Sequence, residues 1–336
     1  MDFIGLDIGS SSIKVAQVAR EGKTFRLLSL GRAKTPPVSL VSEAPKDHVA
    51  IAETIKKLLS SLNIKSRYVV VSLPEKDLAS RVVKVPQMSE EELTSSLRYE
   101  ADAFVPFNLD DAVLRHQIID VDEKTKKMTV FLVAAPKRLV NRYLDFIKLA
   151  DLQPLALETE LLSLNRALTT PESESTLLMN LGFKSCSFAI SWRGKIYLTR
   201  SLPIAGESFT AALARELQID PSQAEEYKKA YGLEEKVLEG KIKKILSPLI
   251  NSVTAEAKKA IQFFEEEEKQ PVKQIVLSGG TANLPNIASS FVAALGIETV
   301  VANPFSLLNF DQNTFASFLD EGPLYAVAIG LAKREV

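Results

Sequence analysis

Acidic, glycine, serine and lysine residues near the start of the chain stand close enough together to bind a phosphate. The segment reads Asp7-Ile8-Gly9-Ser10-Ser11-Ser12-Ile13-Lys14 and lies between two apolar runs that predict strands. A tight turn of small residues brings backbone N–H groups and serine hydroxyls close to an anion. Asp7 and Lys14 could then hold a Mg²⁺-bound phosphate between them. Taken alone, the turn fits an ordinary β-hairpin equally well.

The same pattern recurs in the second half of the chain. Leu6-Asp7-Ile8-Gly9 aligns with Met179-Asn180-Leu181-Gly182, which pairs the two glycines. Residues 69–74 align with residues 275–280, and each of these predicted strands follows an amphipathic helix pattern. Because both halves begin in the same way, the sequence predicts two related α/β lobes. A ligand would lie between them.

Composition and charge are those of an ordinary globular protein. The 336 residues suggest about two domains, and 46% of them are hydrophobic and 25% charged. A net charge of −1, without a basic stripe, argues against a nucleic-acid partner. Cys186 is the only cysteine and there are two histidines, so we expect neither a disulfide nor a zinc site.

Targeting and membrane signals are not evident in the sequence. The chain opens directly into a predicted strand, without the charged and apolar regions of a signal peptide. It nowhere reaches the roughly 18 consecutive apolar residues that a membrane span needs. We therefore expect a cytoplasmic protein that makes no membrane insertion of its own.

Strand and helix patterns divide the chain into four parts. Residues 80–156 interrupt the repeat and show strand and helix patterns in the order βαββαβ, which predicts an inserted module. Residues 206–270 have an almost continuous helical pattern. The predicted parts are a first lobe (1–79, completed by about 157–175 and by the C-terminal helix), the inserted module (80–156), a second lobe (176–205 and 271–336) and a helical subdomain (206–270).

The order of the motifs resembles that of the actin-like ATPase superfamily. The three motifs are residues 7–14, Asn180-Leu181-Gly182 and residues 278–285. The resemblance implies an α/β fold of duplicated ribonuclease-H-like lobes. In this fold Gly330 would allow a close helix contact between the lobes, although it could also be a tolerated glycine inside a helix.

Within the superfamily the chain resembles the PilM family of type IV pilus assembly proteins, which is related to the cell-division protein FtsA. Two segments of the predicted module, residues 85–93 and 99–107, carry the resemblance together with residues 301–305. It covers essentially the whole chain, and the order of the motifs is more specific than any single motif.

The resemblance implies that ATP binds with Mg²⁺ between the lobes. Asp7 would hold the Mg²⁺ through water, and the serines and Lys14 would hold the β- and γ-phosphates. Glu225 and Lys228 would meet ribose and adenine, but a surface ion pair at i, i+3 explains this pair equally well. The implied nucleotide-binding positions are Gly9, Ser10, Ser11, Ser12, Lys14, Gly182, Ser185, Glu225, Lys228, Gly279, Gly280 and Asn283.

One position departs from the superfamily pattern. The second phosphate turn normally begins with aspartate, whereas this chain has Asn180. An amide offers one weak carbonyl ligand and no basicity, so nucleotide binding should survive better than hydrolysis. Glu160 could orient the attacking water, or it could be a carboxylate at the start of a helix. We therefore expect weak or absent ATPase activity, with Glu160 and Asn180 as the catalytic candidates.

The resemblance also implies a partner. The protein would be an ATP-binding scaffold of the pilus assembly platform, recruited to the inner membrane by the N-terminal cytoplasmic tail of a bitopic, PilN-like protein and in contact with other platform components. Val105, Pro106 and Phe107 could line a groove for this tail between the first lobe and the module. The same residues could instead cap the core of the module.

Three other functions remain open on the sequence. A sugar-kinase-like phosphotransferase would need a catalytic aspartate in a substrate cleft, and no convincing one is visible. An FtsA-like division protein would need a membrane-binding tail after the last helix, and the sequence given stops at Val336. A cytoplasmic component of a type II secretion platform would share the same architecture.

Overall fold

The computed structural model describes residues 2–335 and contains three β-sheets. The first sheet contains β1 (Ile4–Ile8), β2 (Ser12–Glu21), β3 (Thr24–Lys34), β4 (Tyr68–Leu73) and β8 (Gln153–Thr159). Their order is β3-β2-β1-β4-β8. The first three strands form antiparallel hairpins, and β4 and β8 add to them in parallel.

The second sheet repeats this arrangement. It contains β9 (Thr176–Leu181), β10 (Cys186–Trp192), β11 (Lys195–Leu202), β12 (Gln274–Ser278) and β13 (Glu298–Val301). Their order is β11-β10-β9-β12-β13, with antiparallel hairpins first and two parallel strands after them. The predicted duplication is therefore confirmed.

Helices cover the outer face of the first sheet. They are α1 (Pro45–Ser61) and α3 (Lys137–Leu149). In α1 the apolar positions recur at helical spacing, and Ile51 and Ile55 are completely buried. Tyr143 and Phe146 of α3 belong to the same apolar core, which includes the side chains of β1 and β4 on this face. The residues that the helical pattern marks as apolar thus become the core of the first lobe.

Two helices between the lobes are exchanged. They are α4 (Glu160–Leu168), which follows the last strand of the first sheet, and α10 (Ala326–Ala332), near the end of the chain. Leu164 of α4 packs in the core that contains Leu178 of the second sheet. Leu331 of α10 packs with Val70 of the first sheet. Each lobe therefore sends a helix to the other lobe, and burial of both helices joins the lobes.

The inserted module is a three-stranded antiparallel sheet covered by one helix. It consists of β5 (Ala79–Pro86), α2 (Glu90–Asp102), β6 (Ala112–Asp122) and β7 (Lys127–Pro136), with strand order β5-β7-β6. Ser89 and Glu92 form a capping box at the start of α2. Leu93 and Leu97 of the same helix are buried against the sheet.

The structure differs from the predicted βαββαβ module in its last two elements. β8 pairs in parallel with β4 of the first sheet, where Val70 lies opposite Ala156. The helix α3 before it packs on α1 rather than on the module. Strand and helix patterns are local, and they do not show which sheet a strand joins, because that depends on distant residues. The module sheet therefore ends with β7.

The helices of residues 206–270 pack on the second sheet. This stretch contains α5 (Gly206–Leu217), α6 (Pro221–Tyr231) and α7 (Lys241–Glu268), and α8 (Ile287–Leu295) and α9 (Gln312–Phe315) follow before α10. Leu213, Ala224 and Val253 lie in one hydrophobic core with the second sheet, so this stretch shares the core of the second lobe. Among residues 2–335, no helix combines the length and apolar character that a bilayer crossing requires.

Candidate functional site

A deep cleft opens between the two lobes. Its volume is about 930 Å³, which lies in the range of pockets that bind small molecules and cofactors. Every residue that the sequence analysis assigned to the site lines this cleft, from Asp7 on the first lobe to Asn283 on the second. The fold therefore brings together residues that are far apart in the chain.

Two turns with the same geometry face the cleft from opposite lobes. In the first turn the Gly9 N–H donates to the Ser12 carbonyl at 3.1 Å, and in the second the Gly182 N–H donates to the Ser185 carbonyl, also at 3.1 Å. A β-carbon added at either glycine would lie 2.9 Å from that same carbonyl oxygen, so both positions need glycine. The turns form a pair related by the internal duplication.

Threonine hydroxyls hold both turns in place. The Thr35 hydroxyl donates to the Gly9 carbonyl at 2.6 Å, and the Thr281 hydroxyl donates to the Gly182 carbonyl at 3.0 Å. Both threonines are buried. Their role could not be predicted from local sequence, because each lies far along the chain from the turn that it supports. Only their location directly after a predicted strand or turn could have suggested a supporting role.

Asp7 and Lys14 form an ion pair at the first turn. They lie opposite each other on the antiparallel strands β1 and β2, and the Lys14 Nζ is 3.0 Å from Asp7 Oδ2. Ser72 Oγ, at the end of β4, donates to the other carboxylate oxygen at 3.2 Å. The seven-residue spacing seen in the sequence is thus the register of a hairpin, which holds a charged pair at the cleft.

Glu160 and Asn180 also meet in the cleft. Glu160 is the first residue of α4, Asn180 is near the end of β9, and the Asn180 amide donates to Glu160 Oε2 at 3.4 Å. Burial, with the nearby carboxylates of Asp7 and Glu75, raises the pKa of Glu160 to about 8. Near neutral pH this carboxyl group therefore keeps its proton for much of the time and is a poor base.

Glu225 and Lys228 pair as their i, i+3 spacing predicts, but the pair is not on the surface. Lys228 is only 3% exposed. Its ammonium group donates to Glu225 Oε2 at 2.6 Å, to the Thr210 hydroxyl at 2.9 Å and to the Gly206 carbonyl at 3.0 Å. An ammonium has three N–H donors, and all three are used within the protein. Contact with a ligand would therefore fall to the aliphatic part of the lysine.

Gly279 is required by the packing of the protein itself, whereas Gly280 has more room. Gly279 has φ +84°, and an added β-carbon would lie 2.5 Å from the Leu181 carbonyl oxygen and 2.7 Å from Asn180 Oδ1. At Gly280 the nearest atom would be a methyl group of Leu324, at 3.1 Å. Both glycines are among the nucleotide-binding positions that the family resemblance implies. The structure shows that Gly279 is first needed where the end of β12 passes the second turn.

Comparison with known proteins identifies the family. The model of the family described as type IV pilus assembly protein PilM matches residues 5–336. A solved structure of a PilM–PilN type IV pilus biogenesis complex is 27% identical, with a TM-score of 0.86, and the match covers 99% of this chain and 98% of that one. The confirmed fold and this match agree with the resemblance found in the sequence.

More distant structures share the fold alone. The ethanolamine utilization protein EutJ from Carboxydothermus hydrogenoformans is 16% identical over 99% of this chain and 89% of its own, with a TM-score of 0.60. MreB5 of Spiroplasma citri, solved with ADP bound, is 15% identical over 98% of this chain and 94% of its own, with a TM-score of 0.55. Because the PilM family model spans nearly the whole sequence, this chain belongs to the PilM family of type IV pilus assembly proteins.

Proposed function

We propose that this protein is an ATP-binding scaffold of the type IV pilus assembly platform, held at the inner membrane by the N-terminal cytoplasmic tail of a bitopic, PilN-like protein. The observation that carries the nucleotide part is the pair of matching turns that face one cleft from two lobes. MreB5, which shares the fold, has been solved with ADP and with AMPPNP. Other platform components would contact the scaffold once it is recruited.

The residues at the first turn suit a Mg²⁺-bound triphosphate. Asp7 is a buried carboxylate that faces the cleft, and its charge is strong enough there to raise the pKa of Glu160. A hard dication prefers such oxygen ligands, and Asp7 would hold it through water. Lys14 and the serine hydroxyls would bind the β- and γ-phosphates, and Gly182 and Ser185 would add donors from the second lobe. Bound Mg²⁺ would supply charge neutralisation for these phosphates.

Hydrolysis should be slow in this cleft. Asn180 replaces the carboxylate that would attract the metal on the second lobe, and an amide cannot accept a proton from water. Its amide N–H points instead to Glu160 at 3.4 Å. ATP would then act as a structural or switching ligand that draws the lobes together, rather than as a substrate for hydrolysis.

The segment between α2 and β6 is suited to dock a tail where the module meets the first lobe. Val105 packs against the core of the module, whereas Phe107 is half-buried and outside that core. Lys137, the first residue of α3, donates to the Asp110 carbonyl at 2.7 Å, which ties this segment to the first lobe. An apolar side chain at such a junction can receive an extended peptide.

Fluorescence polarisation with a labelled peptide of the partner's N-terminal tail tests the recruitment. We expect the peptide to bind the wild type and to bind Phe107→Ala more weakly. Tyr99→Ala is the matched control, since Tyr99 is an aromatic residue of the same module that is 83% exposed. Circular dichroism would show that both variants are folded. Equal affinity of all three proteins would contradict the docking site, and a protein that stays in membrane fractions when the partner lacks its tail would contradict the recruitment.

A further inference from the structure

We propose that Lys184 is a second phosphate-binding cation, supplied by the second lobe, and that together with the neutral Asn180 it lets this cleft hold a nucleotide with little dependence on a divalent cation. The inference rests on the proposed nucleotide binding and concerns how that binding is achieved.

The location of Lys184 follows from the internal duplication. Gly9 and Gly182 occupy equivalent positions in the two turns, and the same backbone hydrogen bond closes each turn. Counting from these glycines, Lys184 takes the place of Ser11, a residue of the first phosphate turn. It lines the cleft from the second lobe, opposite Lys14 on the first. A phosphate chain between the turns would therefore meet an ammonium group on each side.

The charged groups around the cleft leave the Lys184 ammonium group available to bind a phosphate. Four of the carboxylates that line it have a cationic partner within the protein, in the pairs Asp7–Lys14, Asp77–Lys76, Glu225–Lys228 and Glu321–Arg32. Glu160 is the exception and accepts from the Asn180 amide. Lys184 is exposed, and within residues 2–335 its side chain makes no ion pair or hydrogen bond. Lys34 is also unpaired there, but it lies at the end of β3 and outside both turns.

Elementary electrostatics connects the roles of Asn180 and Lys184. An aspartate at position 180 would repel the phosphates unless a metal ion lay between them, and Asn180 removes this repulsion. An ammonium group binds phosphate as a mobile point charge and takes over part of the neutralisation that a dication would provide. The change from a carboxylate to an amide, with a lysine four residues later, thus moves the second turn from metal binding towards direct phosphate binding.

Isothermal titration calorimetry with ATP, in Mg²⁺ and in EDTA, tests the proposal. For the wild type we expect dissociation constants that differ by less than about tenfold between the two buffers. Lys184→Gln should lose affinity by about tenfold or more in EDTA and by less in Mg²⁺, whereas Lys184→Arg should keep it. Asn180→Asp should make binding depend more strongly on Mg²⁺. Lys236→Gln, an exposed lysine outside the cleft, is the control for a general loss of positive charge.

The outcomes separate this proposal from the proposed function. If the wild type binds ATP only in Mg²⁺, or if Lys184→Gln binds as well as Lys184→Arg in EDTA, the role of Lys184 is overturned and the nucleotide function stands. If the wild type binds ATP in neither buffer, both are overturned. Thermal melting followed by circular dichroism would show that each variant is folded before its affinity is compared.

Discussion

Gly330 of α10 lies directly against the backbone of Ser163 in α4. A β-carbon added at residue 330 would be 1.8 Å from the Ser163 carbonyl oxygen and 2.5 Å from its carbonyl carbon. The two helices come from different lobes and are both buried, so this close approach is where the lobes are joined. The contact between lobes that the family resemblance implied for Gly330 is therefore present in the structure.

Gly330→Ala should destabilise the protein strongly. The methyl group cannot fit unless the two helices move apart, and overpacking of this kind costs about 3 kcal/mol or more. The measurement is the free energy of unfolding from urea titration. An unchanged free energy would mean that α4 and α10 separate easily, which would contradict their role in joining the lobes.

Lys14→Ala should weaken ATP binding by about tenfold or more, because a charge-assisted contact to phosphate is lost. The change also leaves the buried Asp7 carboxylate without its ion-pair partner and facing the phosphates. Calorimetry in the presence of Mg²⁺ measures the effect. Lys23→Ala is the matched control, since Lys23 lies in the turn at the other end of the β2–β3 hairpin. Equal affinities of Lys14→Ala and wild type would remove Lys14 from the site.

Asn180→Asp should raise ATP turnover, by about tenfold or more, when Mg²⁺ is present. The new carboxylate can attract the metal and assist the attacking water. Without a metal it would stand beside the Glu160 carboxyl, which now accepts a hydrogen bond from Asn180 at 3.4 Å. Phosphate release is the readout, and Asn180→Ala should not show the rise. A wild type that already hydrolyses ATP as fast as Asn180→Asp would show that this position does not limit the reaction.

Glu75→Gln should stabilise the protein at high pH but not at low pH. Glu75 is only 3% exposed, and its Oε1 accepts from the Ser80 hydroxyl at 2.8 Å while Oε2 has no partner. Burial raises the pKa of this carboxyl group from 4.5 to about 7. The neutral form thus contributes stability that is fully present below about pH 4.5 and is lost as the pH rises through about 7.

Urea unfolding of wild type and Glu75→Gln across this pH range measures the effect. The variant stays neutral, so its advantage in free energy of unfolding should grow from near zero at about pH 4.5 to roughly 3 kcal/mol above about pH 8. A difference that is constant over the whole range would show that Glu75 titrates in the folded protein as it does in the unfolded chain.

Much of the fold could be predicted because its signals are local or repeated. Apolar runs predicted strands on both sides of the first turn, and the aligned glycines at positions 9 and 182 revealed the duplication. The structure places the turns of the two lobes on opposite sides of one cleft. This is why the residues assigned to the site from the sequence all line one cleft. The roles given to them in nucleotide binding stay predictions.

Tertiary structure decided the features that depend on distant partners. Which sheet β8 joins, the exchange of α4 and α10, and the threonine hydroxyls that hold both turns all depend on residues far apart in the chain. The burial of Lys228 likewise comes from α5, which surrounds an ion pair that the helical spacing alone would place on the surface. The sequence by itself determined the repeated lobes and the residue types at the cleft, because local patterns encode them. Packing between distant segments determined how these elements are joined and which side chains remain free to meet a ligand.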